Sequence, residues 1–290
     1  MLSLSLPKSA PSFWREARPA EKLAMLTGVT LAALAIIGPL VAPYDPTSQS
    51  LLTRLRPPMG LDRAVEGHLL GTDELGRDLL TRAIYGLRMT LGLALFGAII
   101  GLCIGSAIGL IAGMRGGRVE TFLMAAVDVQ IAVPFTLIAL LVLSLFGSSM
   151  LVLVLLLGIS GWEQYARIVR AEVRRIMSMN YIEAARLSGA THWVMARDHV
   201  LPNILAPLVV QFTLSLAAIM LLESTLSFLG LGVQPPTATL GVMVGHGRPF
   251  LNSAPWIVLT PAFLILSIVF VVQILGDWLR DRTDIRLRSR

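Results

Sequence analysis

The chain has 290 residues, of which 55% are hydrophobic and 14% charged, and its mean hydropathy is +0.74. These values exclude a soluble domain and place it among polytopic membrane proteins. The net charge of +6 does not point to nucleic acid, because the arginines fall between apolar runs, and a single cysteine, Cys103, excludes an internal disulfide.

Residues 1–22 form a mildly basic lead with Lys8, Arg15, Arg18 and Lys22. The first apolar run, Leu23–Val41, is long enough to span, and Ala42-Pro43-Tyr44 reads as a turn, not as a cleavage site. Residues 42–88 are polar, with six arginines balanced by six acids. Within them Asp73 and Glu74 predict a helix start, and Leu75, Leu79, Ala83 and Leu87 recur on one face. The expectation is an amphipathic helix at the membrane surface, self-paired through Asp78 and Arg82 at i, i+4. The second run, Met89–Gly113, carries Gly97, Gly101, Gly105, Gly109 and Gly113 at every fourth position. That spacing predicts a groove that another helix enters to backbone contact, structural in role.

After the basic turn 114–118, a third span is expected over Thr121–Phe146, containing Asp128, Gln130 and Pro134. Met150–Trp162 is short for a span. It becomes long enough if the helix continues along Tyr165, Ile168, Val169, Val173 and Ile176. A fifth span, Ile204–Leu231, a polar loop, Gly232–Pro255, a sixth span, Trp256–Leu275, and a tail from Gly276 with five arginines complete the chain.

Between spans four and five lies a polar island. Asn180 with Glu183 three residues on reads as an N-cap and capping-box partner, and Gly189 falls at a left-handed helix stop. Ala184, Ala185, Ser188, Gly189 and Ala190 keep this surface small. Thr191 predicts the cap of a second short helix closed by Leu201-Pro202. The pattern Glu183-Ala184-Ala185, Gly189, Leu201-Pro202 resembles the EAA loop of bacterial ABC importer permeases, with His199 where that family usually has an apolar residue. The resemblance implies a coupling element that docks in a groove on an ATPase subunit. Glu183, Ala184, Ala185, Gly189, Ala190 and Pro202 are the residues it singles out. The plainer alternative is an amphipathic linker on the membrane surface.

Positive charge orients the spans. The lead, the 115–118 turn, the 163–202 loop and the tail carry four, two, six and five Lys or Arg, whereas 147–149 and 232–255 carry none and one; only the 42–88 segment, expected in the periplasm, breaks the pattern, and its charges are balanced. Both termini and the EAA-like loop are therefore expected in the cytoplasm, with six helices. Further stretches resemble the second permease (DppC/OppC type) of dipeptide, oligopeptide and nickel importers: 42–46, 71–78, 226–237 and 276–281. One departure is Thr237-Ala238-Thr239-Leu240-Gly241, where that family tends to have a tryptophan before the glycine.

The two lysines, Lys8 and Lys22, both precede the first span, so the chain has no phosphate-cradling loop ending in Gly-Lys-Ser/Thr. His68, His192, His199 and His246 all lie outside the expected spans and form no His-Glu-x-x-His motif, which disfavours a membrane-embedded hydrolase. A passive channel would leave the EAA-like loop unexplained. Asp128 and Glu223 are the two ionisable residues within spans. Each is either an interhelical contact or part of a pathway. The reading is an all-α inner-membrane permease with six transmembrane helices and no catalytic, metal or cofactor residues. The resemblance implies a homologous second permease, two cytoplasmic ATPases that bind ATP and Mg, and a periplasmic or lipid-anchored binding protein. It also implies alternating access and a di- or oligopeptide cargo, with nickel or another small solute as the alternative.

Overall fold

The computed structural model describes residues 17–283; the rest of the basic lead and of the arginine-rich tail lies outside the described residues. Helix α1, Pro19–Val41, starts where Pro19 supplies a preset first turn and the Arg18 backbone N–H donates to Glu21 Oε2 at 2.7 Å. Its lower end therefore extends four residues into the predicted lead.

Helix α2, Leu79–Arg115, is 37 residues long and unbroken. The amphipathic surface helix expected from Asp73 does not form. Gly71–Asp78 is instead a tight turn in which Gly76 holds φ +72, and Asp78 is the actual N-cap, its carboxylate accepting from Thr81 N at 2.7 Å. Leu79, Ala83 and Leu87 lie in the protein core, not at an interface, so the 42–88 segment has no separate α-helix, only a 3-10 turn at Leu51–Thr53, and its end merges into span two. The pairing also differs. Arg82 Nε reaches Asp73 Oδ2 at 3.2 Å, whereas Asp78 pairs with His68 Nδ1 at 2.9 Å.

The third expected span is broken. Helix α3, Gly117–Ala132, and helix α4, Phe135–Phe146, meet at an angle of 81° around Val133-Pro134, because proline disfavours the helical conformation in the residue before it. Helix α5, Met150–Ile159, continues as expected into α6, Trp162–Met177, across a break where Gly161 is left-handed at φ +84. Then come α7, Asn180–Leu187, α8, His192–Val194, a π-turn over Met195–Val200 and α9, Leu201–Phe228. Residues 192–228 form one continuous span, so Leu201-Pro202 does not close a helix, and His192 and His199 belong to it. The π-turn explains this outcome: Leu201 N bonds back five residues to the Ala196 carbonyl, and the widened turn takes up Pro202, which has no N–H to donate.

The predicted polar loop 232–255 contains a buried helix, α10, Leu240–Gly247, capped by Thr239 Oγ1 accepting from Val242 N. It packs against α2, α9 and the last helix, α11, Trp256–Thr283, which runs past the predicted end of span six. Among the described residues, five helices are long and apolar enough to cross a membrane, and six if the bent pair counts as one.

Two apolar cores hold these elements. The larger joins α1, α2, α4, α5, α9, α10 and α11. The smaller is built by Tyr165, Val169, Val173 and Ile176 of α6, Ile182 of α7, Met195 and Val200 of the π-turn, and Ile204 and Leu208 of α9. Between α2 and α5–α6 lies the glycine groove. A Cβ on Gly97 would meet Leu157 Cβ at 3.1 Å, one on Gly109 Val169 Cβ at 2.8 Å, and one on Gly113 Val173 Cβ at 2.7 Å. The partner of this groove is thus a helix of the same chain.

Candidate functional site

The EAA-like loop is assembled from α6 outward. One face of α6 is apolar and seats in the glycine groove, which fixes where the helix ends at Met177. A short turn then starts α7. Its N-cap is Met179, without a side-chain cap bond, so Asn180 is the first helical residue and the expected Asn180–Glu183 capping box is absent. Without a capping side chain, packing must hold this eight-residue helix, since isolated helices of that length are marginal. Ile182 supplies that packing as its only buried residue.

The C-terminal stop forms as the sequence suggests. Gly189 adopts φ +87; its N–H donates to Arg186 O at 3.0 Å and the Ala190 N–H to Ala185 O at 3.1 Å, the two bonds of a Schellman motif. Thr191 Oγ1 accepts from Val194 N, starting α8. Glu183, Ala184, Gly189 and Pro202 are exposed, Ala185 is partly covered, and Ala190 packs against the smaller core. Leu187 and Trp193 on the same loop are exposed at 86% and 69%, and Tyr181 at 46%, so large apolar side chains share this surface with the small ones. The arrangement can offer a partner protein a short rigid helix with apolar anchors, the kind of contact that carries interface energy. It has no means to do covalent chemistry.

Asp128 is neither buried nor alone. Its carboxylate pairs with Arg167 of α6 at 2.7 Å, and both side chains are more than half exposed. Eight residues earlier Glu120 accepts from Arg170 Nε at 2.6 Å and pairs with Arg174 at 3.6 Å. These pairs tie α3 to the helix that leads into the loop. Glu223, by contrast, is completely buried at the junction of α9 and α10. Ser227 Oγ donates to its Oε1 at 2.7 Å, and Ser224 and Thr239 stand beside the carboxyl. Asp128 and Glu223 are therefore far apart in role as well as sequence, and both make contacts within or between helices.

A third polar group, not singled out by the sequence, lies at the α5–α6 break. Ser160, Gly161, Glu163 and Gln164 line a cavity of about 140 Å³ together with Phe135 of α4 and Ser215, Ala218, Ile219 and Leu222 of α9. Gln211 Nε2 donates to Gln164 Oε1 at 2.7 Å and to Ser215 Oγ at 3.2 Å. The only available signal was the pairing of Gly161 with Glu163 and Gln164 inside an apolar run.

Against this geometry the comparisons with known proteins are unambiguous. Residues 105–285 match the family described as the binding-protein-dependent transport system inner membrane component. The chain is 38% identical to the di/tripeptide transport system permease protein DppC of Pseudomonas aeruginosa, covering 99% of this chain and 95% of that one. It is 37% identical to the dipeptide permease DppC of Bacillus subtilis, covering 99% and 88%, and 33% identical to the oligopeptide permease OppC of the same organism, covering 98% and 93%. Among solved structures, an inward-facing methionine ABC transporter, MetNI, shares the fold with a TM-score of 0.52 at 19% identity, covering 69% of this chain and 95% of that one. The chain belongs to the binding-protein-dependent permeases, the non-catalytic inner-membrane subunits of ABC transporters.

Proposed function

We propose that this chain is one permease of an ABC importer that carries di- or oligopeptides across the inner membrane. Its near full-length similarity to permeases named for dipeptide and oligopeptide transport supports the cargo. In this reading both termini and α7 face the cytoplasm, as the Lys and Arg distribution suggests. A homologous second permease forms a heterodimer with it. Two cytoplasmic ATPases bind ATP and Mg, and a periplasmic or lipid-anchored binding protein delivers the peptide. Nucleotide-driven closure of the ATPases moves the α7 helices, and the bundle alternates access between the two faces. Import of nickel through the same machinery is less well supported, since among the described residues no three His, Cys, Asp or Glu side chains gather as metal ligands.

The observation that carries the docking role is α7 itself: a helix fixed from beneath by Ile182 and a Schellman stop, with Glu183, Ala184 and Gly189 turned outward. Ala184→Trp is the direct test, because Ala184 is exposed and α-helical, so a larger side chain costs the fold little. Gly189→Trp also strains the backbone at φ +87, by about 1–3 kcal/mol, and is a weaker discriminator. Ala184→Trp is expected to leave expression and pairing with the second permease intact while the ATPases no longer copurify and uptake stops. A Ser188→Ala variant serves as control. Retention of the ATPases by Ala184→Trp at the control's level would exclude α7 as the docking element.

A further inference from the structure

The cavity at the α5–α6 break combines features that are costly to keep in a membrane protein without a use. It lies where two spans are interrupted at once, α5–α6 at Gly161 and α3–α4 at Pro134, the latter placing Phe135 in its wall. Irregular backbone at such depth is tolerated where it lines a cavity. Four of its nine lining residues, Ser160, Glu163, Gln164 and Ser215, carry polar side chains. Gln211 holds Gln164 and lies by Ser215, so those amides and hydroxyls are already engaged. Glu163 is not in that position. The backbone N–H groups of Gly161 and Glu163 face its carboxyl, but its Oε2 is buried with no hydrogen-bond partner among the described residues. The cation one turn away, Arg167, is committed to Asp128 at 2.7 Å.

Glu163 is the one ionisable side chain among the described residues that line the wall, and one oxygen of its carboxyl has no hydrogen-bond partner there, the Arg167 charge acting on it only from a distance. Ionisable residues in spans are expensive and mark pathways when they face a cavity. Its volume of about 140 Å³ admits several waters or the polar end of a small solute, not a folded chain. A dipeptide or short oligopeptide offers a complementary group, the protonated α-amino terminus, whose N–H donors suit a carboxylate together with the neighbouring Ser160 oxygen, whose own proton goes to Leu157 O. From this geometry we infer that Glu163 is a binding residue of the transport route, receiving the protonated amino group of the peptide as it passes. The assignment rests on the peptide-import reading above. The residue acts on cargo already released from the binding protein, so it sets passage and not capture.

The test uses the complete transporter, with both permeases, the ATPases and the binding protein, reconstituted in liposomes and supplied with radiolabelled dialanine. Glu163→Gln keeps size and hydrogen bonding while removing the charge. Dialanine taken up per ATP hydrolysed is expected to fall roughly tenfold, the scale of a lost charge-assisted hydrogen bond. The concentration giving half-maximal uptake should stay where the binding protein sets it, and Glu163→Asp should recover part of the rate. Binding-protein-stimulated ATP hydrolysis should persist, and the melting temperature should be no lower than that of the unsubstituted complex. Wild-type coupling in Glu163→Gln would overturn the inference while leaving peptide import standing. Loss of the second permease on purification of Glu163→Gln would also overturn it, by showing that the carboxylate pairs with a cation of that subunit. Failure of the unsubstituted complex to import both dialanine and radiolabelled tetra-alanine would remove the peptide-import reading, and this inference with it.

Discussion

Gly105 offers the sharpest test of how the helix leading to the loop is held. A methyl group there would run into the Trp162 carbonyl oxygen and stand 2.7 Å from Tyr165 Cβ. Neither obstacle is the end of a flexible side chain. Both belong to the first turn of α6, so relief requires moving the helix. Overpacking a tight core costs about 1–3 kcal/mol, and an obstacle made of backbone belongs at the upper end. Replacing glycine by alanine inside a helix returns about 1 kcal/mol. The net expectation for Gly105→Ala is a loss of about 2 kcal/mol. Gly92, on the same helix, has no atom within 4 Å of its would-be Cβ, so Gly92→Ala keeps only the gain. The assay is thermal melting of the two purified variants in one detergent, where about 2 kcal/mol corresponds to a decrease of roughly 4–8 °C. If Gly105→Ala melts with or above Gly92→Ala, the groove is not a close contact and the packing argument fails.

Two further outcomes follow from the charged groups. Burial pushes the Glu74 carboxyl up, but His246 at 3.7 Å and the nearby Arg77 and Arg82 outweigh that, and the net shift is below its ordinary 4.5. A lowered carboxyl stabilises the fold above its unfolded value, and that contribution is lost as pH falls through the folded value. Glu74→Gln should thus melt below the parent near pH 6, with the gap closing as pH drops beneath 4.5; a gap constant from pH 6 to pH 3 would contradict this. For topology, single cysteines replacing Leu187 and Arg63 in a Cys103→Ser background should label with an impermeant reagent from opposite sides. Leu187 is expected inside and Arg63 outside; labelling of position 187 alone in intact cells would reverse the proposed orientation, and labelling of both would refute the topology.

The parts of this architecture that were legible in the sequence depend on residues whose geometry allows one reading. Five glycines at a spacing of four can only form a groove along one face of a helix, and Gly189 and Thr191 act within their own turns. The parts that were not legible depend on distant contacts. Helix α10 holds Gly241, Gly245 and Gly247 in eight residues, a composition poor for a helix and easily taken for a loop. Those glycines are needed for close packing: a Cβ on Gly241 would lie 2.6 Å from Ser224 Cα, and one on Gly247 2.9 Å from the Ile257 side chain. Asp73 and Glu74 resemble helix-starting acids, yet Gly76 at φ +72 delays the start, and Asp73 instead gathers Arg77 and Arg82 from beyond the turn. At the proposed docking surface, Glu183, Ala184 and Gly189 stood out as a motif. Ile182 beneath them did not, since an isoleucine in an apolar chain carries no signal of its own. Glu163 was missed because nothing local reveals that an oxygen will lack a partner.

The way α7 is attached has a consequence for divergence. Seven of its eight residues contribute nothing fully buried, and the helix is secured by Ile182 below and by backbone bonds at its end. Substitutions on the outward positions therefore leave both cores untouched. If α7 is the docking element proposed above, such a permease could change which ATPase it accepts through a handful of surface exchanges, with membrane insertion and bundle stability unaffected. The same independence makes the segment from Asn180 to Ala190 a natural unit for grafting between permeases, provided the recipient keeps an apolar residue at position 182 and glycine at position 189.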